Sequence, residues 1–118
     1  MLINSVRVTP VTIDPQLTKI AEERCVSMAD WSHVGFPIGK IFGLKDNYFY
    51  AGENLASGFS DATSTFQAFE NSKTHHDVQH ATEYHRVGVA NCKNIIGNVT
   101  VVEFAGKITN NRYINTDI

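Results

Sequence analysis

The run from Asn98 to Lys107 constrains this chain most. Val99, Val101, Val102 and Phe104 crowd it, and β-branched and aromatic residues at that density specify a strand. Upstream, Tyr84 to Cys92 reads as a second strand, with Val87 and Val89 on one face. Lys93 to Gly97 holds the connecting turn, and Gly97-Asn98 is its expected tip. The two strands therefore form an antiparallel hairpin with a loop of several residues.

The rest of the chain supplies helices. Asp14-Pro15 is a helix start: the carboxylate accepts from free N–H groups, and proline at the first position loses no hydrogen bond. Leu17, Ile20, Ala21, Cys25, Met28 and Ala29 then recur with helical spacing and form one apolar face. Lys19, Glu22, Glu23 and Arg24 are expected on the other side, and the helix should end near Asp30 or Trp31. Asn4 to Val11 reads as extended or as a loose lead-in. Trp31 to Asn47 contains Gly35, Pro37, Gly39 and Gly43 and reads as a long loop with a helical turn near Ile38 to Leu44. Loops of this length in compact domains are often functional, and His33 sits at its start.

Residues 48 to 56 read as a short, irregular strand, in which Gly52 permits close backbone approach just before Glu53. Ser60 or Asp61 caps a second helix with Ala62, Phe66 and Phe69 as its buried stripe, stopping near Asn71 or Ser72. His75 to His80 reads as a further helical turn or short helix, and Thr109 to Ile118 as a loose tail. The order predicts one α+β domain over residues 1–118. Its expected architecture is a three-layer α-β-α sandwich around a small, mainly antiparallel sheet.

Charge and composition narrow the function. The formal net charge of −2 and pI near 6.2 give no electrostatic footprint for nucleic acid or an anionic membrane. No apolar run approaches the ~20 residues that span a bilayer. The start Met1-Leu2-Ile3-Asn4 shows no signal-peptide pattern. Two cysteines do not make a disulfide scaffold; Cys25 and Cys92 could pair if the fold puts them close, but the expectation is two free, half-buried thiols. Cys92 has no feature that would activate it as a nucleophile. The triplet Asn98-Val99-Thr100 fits a glycosylation acceptor but lies in a strand-like run.

The chemistry-bearing residues are His33, Glu53 and His75. Imidazole and carboxylate are suitable zinc ligands, and an open position on the ion would hold water. Their long-range spacing matches no local zinc signature. The competing reading is a hydrogen-bonded network that fixes loop and strand, with Ser32 and Ser72 as partners. His76 and His80, four residues apart, have the spacing of a metal pair but read more simply as a solvated polar face. His85 reads as an exposed strand residue; Tyr48, Phe49 and Tyr50 could line a hydrophobic groove but read more simply as core.

These residues carry a resemblance. The chain resembles the CAP superfamily (cysteine-rich secretory proteins, antigen 5 and pathogenesis-related proteins) in its bacterial SCP-like branch, from about Asn4 to Gly106. Asn4-Ser5-Val6-Arg7 is similar to the family's Asn-x-x-Arg opening. Asp14-Pro15-Gln16-Leu17, with Ala21 and Met28-Ala29, resembles its first helix, and Trp31-Ser32-His33 the aromatic-Ser-His that ends it. Gly52-Glu53-Asn54-Leu55 is its best-known short motif. Phe69 stands where tryptophan is usual, followed by Ser72-x-x-His75. Tyr84-x-Arg86-Val87-Gly88-Val89 resembles the Tyr-x-x-Val-Gly-Val strand.

The resemblance implies a sandwich around a three-stranded antiparallel sheet. It also implies a large central cleft with two histidines and usually two acids, able to bind a divalent metal such as Zn2+ in some members. Carried over, the cleft residues are His33, Glu53 and His75. Ser72 stands where the second acid is usual, and Glu70 is expected to point elsewhere. The segment His76-Asp77-Val78-Gln79-His80 departs from the family's Arg-then-apolar pattern, and the disulfides of the eukaryotic branches are not matched.

Family members are linked to sterol or lipid binding, toxin action, defence and inhibition, with protease activity claimed in few. The leading expectation is an extracellular or surface-associated binding module of bacterial or phage origin. Its cleft would take a small or lipid ligand, directly or through a divalent ion. One alternative is a metal-assisted hydrolase in which His33 and His75 hold zinc and Glu53 is the general base. Another is a structural docking domain of a cell-surface or phage assembly. Neither the ligand nor the oligomeric state is legible in the sequence.

Overall fold

The computed structural model describes residues 2–29, 32–59 and 61–107. Its sheet has four strands in the order β1-β3-β4-β2: β1 (Thr12–Ile13), β2 (Tyr50–Ser57), β3 (Arg86–Asn94) and β4 (Gly97–Gly106). β4 pairs antiparallel with β3 and β2, and the β1–β3 contact is parallel. The helices are α1 (Pro15–Ser27), α2 (Ile38–Phe42), α3 (Ala62–Glu70) and α4 (Lys73–His80). Helices cover both faces of a mainly antiparallel sheet, the α+β sandwich expected from the sequence.

β4 shows why the sheet needs two covers. Val99, Val101 and Ala105 pack toward α1, while Val102 and Phe104 pack toward Ile3, Phe69 and Tyr84. All five are at most 3% exposed, as expected of a strand buried on both faces. α1 begins as predicted: Asp14 Oδ1 accepts from the Gln16 N–H at 2.8 Å, and Pro15 follows. It packs on β3 at Gly88, where the Leu17 backbone comes so close that no side chain would fit. Tyr48 lies beneath the same helix and donates to Asp14 Oδ2 at 2.6 Å. Phe49 points outward, 61% exposed, so the aromatic run is only partly core.

Several expectations are corrected. The lead-in is tied down: Leu2–Ser5 is a 3-10 turn, and the Asn4 side chain exchanges two hydrogen bonds with the Val11 backbone. Arg7 is buried and donates to the carbonyls of Thr9, Gln79 and Tyr84. This anchoring lets β1 add a parallel edge to the three-stranded sheet that the resemblance implied. α1 ends at Ser27 because Met28 turns to extended backbone. Asp30 and Trp31 lie outside the described residues, as do Ser60 and the tail 109–118.

In α3 the buried residues are Thr65 and Phe69, with Asp61 as the cap; Ala62 is exposed and Phe66 half-buried. The hairpin loop is Ile95-Ile96, not Gly97-Asn98. Gly97 already pairs with Asn94, whose Oδ1 accepts from the Ile96 N–H at 2.9 Å and tightens the turn. Asn98 donates its side-chain amide to the Phe59 carbonyl at 3.0 Å. Val89 is 41% exposed because it lines a groove of about 460 Å³ with Leu2, Ile3, Phe66, Phe69 and Val102.

The cysteines are the largest correction. Cys25 and Cys92 form a disulfide, with Cα atoms 6.2 Å apart. Cys25 lies on the sheet-facing side of α1. Cys92 shares the face of Gly88 and Ala90 by strand alternation, so packing α1 on β3 brings the sulfurs together.

Candidate functional site

Glu53 is the centre of the site. It sits in β2 and projects beneath α1, its side chain 1% exposed. A carboxylate there needs compensation, and Arg24 supplies it. Arg24 Nε donates to Oε2 at 3.0 Å and Nη2 donates to Oε1 at 3.2 Å, a bidentate pair. Nη2 also donates to the Ser32 carbonyl at 2.8 Å. One guanidinium thus fixes both the acid and the loop that carries His33. This corrects the expectation that Arg24 faces solvent: it is 7% exposed.

His33 opens a 3-10 turn capped by Ser32, whose Oγ accepts from the Val34 N–H at 3.0 Å. Its Nδ1 lies 2.8 Å from Glu53 Oε1 while the ring remains 56% exposed. An ionised carboxylate only accepts, so Nδ1 carries the proton and Nε2 is turned to the outside. Burial raises the Glu53 pKa, but hydrogen bonds from Arg24, Glu103 and His33 outweigh it and hold the group below the ordinary carboxylate value.

Glu103 stands directly opposite Glu53 across the β2–β4 pair and is fully buried. Neither of its oxygens has a partner of full hydrogen-bond geometry among the described residues. Burial, then the hydrogen bond and charge of Glu53, push its pKa up to about 10. It therefore stays neutral at pH 7 and can direct its proton toward Glu53. Two adjacent carboxyls sharing one negative charge is the least costly arrangement here.

His75 comes from the other layer. Its Nδ1 is 2.8 Å from Ser72 Oγ, its ring lies 5.3 Å from that of Phe69, and its carbonyl accepts from the Asn54 amide at 3.0 Å. Burial lowers its pKa, and the charge of His33 lowers it further. The structure thus bonds His33 to Glu53 directly, while His75 is linked to them through charge and through Asn54, the neighbour of Glu53 on β2. Ser72 is the partner of His75 rather than an acid.

A second acid–histidine cluster lies on α3 and α4. His80 Nε2 is 3.0 and 2.9 Å from the two Glu70 oxygens, and Gln79 Nε2 donates to Glu70 Oε2 at 2.7 Å. The rings of His76 and His80 stack at 3.9 Å. Among the described residues, Glu70, His76 and His80 are the group whose ligand atoms all lie within 4.8 Å of one another. This group could hold a metal ion, whereas His76 and His80 read from the sequence more simply as a solvated face. His85 is half-buried before β3 rather than exposed, and its Nδ1 accepts from the Lys107 N–H at 3.4 Å.

Arg24, Glu103 and Glu70 were not singled out as site residues from the sequence. Arg24 carries a signal, being seven positions after Leu17 and so on the same helix face. Glu103 carries one too, as a lone acid at an inward position of a valine-rich strand.

Residues 4–104 match the family described as the cysteine-rich secretory protein family, CAP. The fold is similar to that of an outer surface protein from Borrelia burgdorferi, with a TM-score of 0.76 and 21% identity over 91% of this chain and 90% of that one. It is similar to an extracellular protein containing a SCP domain from Bacillus anthracis (TM-score 0.66, 21% identity, 84% of this chain and 35% of that chain). It is also similar to a cysteine-rich secretory protein from Staphylococcus aureus (TM-score 0.66, 18% identity, 84% of this chain and 32% of that chain). The chain thus spans about a third of the last two. No curated protein matches it significantly.

Proposed function

As this chain belongs to the cysteine-rich secretory protein (CAP) family, we propose that it acts as an extracellular or cell-surface binding module of bacterial or phage origin. Its ligand would enter the cleft marked by His33, Glu53 and His75. The observation that carries this reading is the His33–Glu53 contact: a carboxylate clamped by Arg24 holds a half-exposed imidazole in one tautomer. Such a ring offers a preorganised Nε2, an acceptor when the imidazole is neutral and a donor when it is protonated. The disulfide supports the compartment, because such bonds persist in oxidising surroundings. The outer surface, extracellular and secretory proteins of similar fold point the same way.

Glu53 suits a positioning role better than that of a general base. Both oxygens are engaged and its proton affinity is lowered, whereas an effective base has a pKa near the working pH. Zinc in this cleft would be held by His33 and His75. If the cleft instead takes its ligand directly, without a metal, calorimetry of His33→Ala and His75→Ala against wild type leaves zinc affinity unchanged; a loss of affinity is what would put zinc in the cleft.

The apolar groove lined by Ile3, Phe66, Phe69, Val89 and Val102 favours a second reading, a lipid chain or other apolar small ligand. A nuclear magnetic resonance screen with polar anions on one side and fatty acids on the other separates the two. Cleft ligands should shift the His33 and His75 resonances, and apolar ligands those of Val89 and Phe66. Binding that moves neither set overturns both.

A further inference from the structure

We propose that Glu70, His76 and His80 form a binding site for a divalent transition-metal ion of the zinc class, bridging α3 and α4. His76 and His80 are four apart on α4 and so share a face, and their rings stack at 3.9 Å with an interplanar angle of 16°. Glu70 reaches the same point from α3, with both oxygens within 3.0 Å of His80 Nε2. The ligand atoms of the three residues fall within 4.8 Å of one another.

Two imidazoles and a carboxylate are a borderline donor set that suits zinc better than calcium or magnesium. Tetrahedral zinc with bonds of ~2.0–2.1 Å places its ligand atoms roughly 3.4 Å apart. The Glu70–His80 pair is already close to that. His76 closes the set by rotating its side chain, 42% exposed, out of the stack.

The carboxylate is oriented from behind. Gln79 is 1% exposed and donates to Glu70 Oε2 at 2.7 Å. Buried partners of this kind fix a ligand before the ion arrives. Asp77 Oδ1 lies 3.5 Å from His76 Nδ1, where it can hold the proton on that nitrogen and leave Nε2 to the metal. Binding requires the proton between His80 Nε2 and Glu70 to leave, either to solvent or to His80 Nδ1. Three protein ligands at a half-exposed position leave at least one site on the ion for water or a donor from another molecule.

The site shares no residue with the cleft of His33, Glu53 and His75, and the experiment keeps the two apart. Zinc is titrated calorimetrically into the full chain, its His76→Ala/His80→Ala variant and its His33→Ala/His75→Ala variant, with circular dichroism on each. The expected result is one equivalent bound by wild type and by the His33/His75 variant, with affinity at least ~100-fold weaker in the His76/His80 variant. Gln79→Leu should weaken binding by about 10–100-fold. In wild type, zinc should shift the ring resonances of His76 and His80 and leave those of His33 and His85 in place; this measurement needs no variant to fold. Absence of zinc binding by wild type, or binding that survives loss of His76 and His80, overturns the site. If binding instead vanishes with His33 and His75, the metal belongs to the cleft and the proposal fails.

Discussion

The two acid–histidine clusters use the same residue types to opposite ends. Glu53 is sealed in beneath α1, and its oxygens are taken by a guanidinium and an imidazole. Glu70 is 18% exposed at the side chain, and its oxygens are taken by an amide and an imidazole. A buried carboxylate bound to arginine cannot give up its partner without leaving a bare charge in the interior. One bound to neutral donors near water can exchange them for an ion. What separates a positioning group from an exchangeable ligand is therefore the commitment of its lone pairs, not its identity.

That contrast breaks first at Arg24. Arg24→Ala leaves Glu53 buried without its cation, which costs about 3–5 kcal/mol when one partner of a buried pair is removed. Urea unfolding should register it, with the same m-value if the native state is otherwise kept. It should also release the loop at Ser32 and free the His33 ring. A loss under ~1 kcal/mol would mean that Glu53 is neutralised some other way.

The disulfide sets the next largest effect. It ties α1, the helix carrying Arg24, to β3 across 67 residues of sequence. Cys25→Ala with Cys92→Ala should cost about 2–4 kcal/mol, read as a lower urea midpoint. The Glu70 cluster, on helices the bond does not touch, should keep its zinc affinity. If reduction disables both clusters equally, the two are not independent.

These features also mark how far the sequence could be read. The sandwich was legible because each element announces itself locally: Asp14-Pro15 starts a helix, and valines at 99, 101 and 102 make a strand. Glu53 and His33 could be placed together only through the order of short motifs, since nothing local joins residues twenty apart. The Cys25–Cys92 bond was not legible because it depends on how α1 crosses β3, a fact set by the contact of Leu17 with Gly88. Glu70 was hidden for a similar reason. Its hydrogen-bond partners lie nine and ten residues on, across a turn between helices whose angle no periodicity reports. Arg24 was misplaced because a charged residue was assigned to the polar side, although its spacing from Leu17 puts it on the buried one.

Glu103 sharpens the comparison, because only the buried cluster holds a neutral acid. Its folded pKa of about 10 lies above the ordinary 4.5. The neutral form's contribution is then complete below pH 4.5 and is withdrawn as the pH rises through 10. Wild-type stability should fall steadily between these limits. Glu103→Gln keeps the shape without the titration, so it should flatten this slope and be more stable than wild type at about pH 8. The loss of stability in acid that comes from Glu53, whose folded pKa is lowered, should remain. An unchanged alkaline slope would show that Glu103 is not the group responsible.

The smallest effect belongs to Glu70, and the comparison depends on its being small. Without metal, Glu70→Gln exchanges charge-assisted contacts at a half-exposed site for neutral ones, worth under ~1 kcal/mol. Glutamine is close in shape and can still accept from Gln79 or His80 through its carbonyl. Thermal unfolding in chelator should therefore barely distinguish the variant from wild type. Adding zinc should separate them, since an ion bound only by the native state stabilises it by mass action and a neutral amide is a poorer ligand than a carboxylate. A large loss in chelator would make Glu70 a structural residue like Glu53, and the distinction drawn between the two clusters would fail.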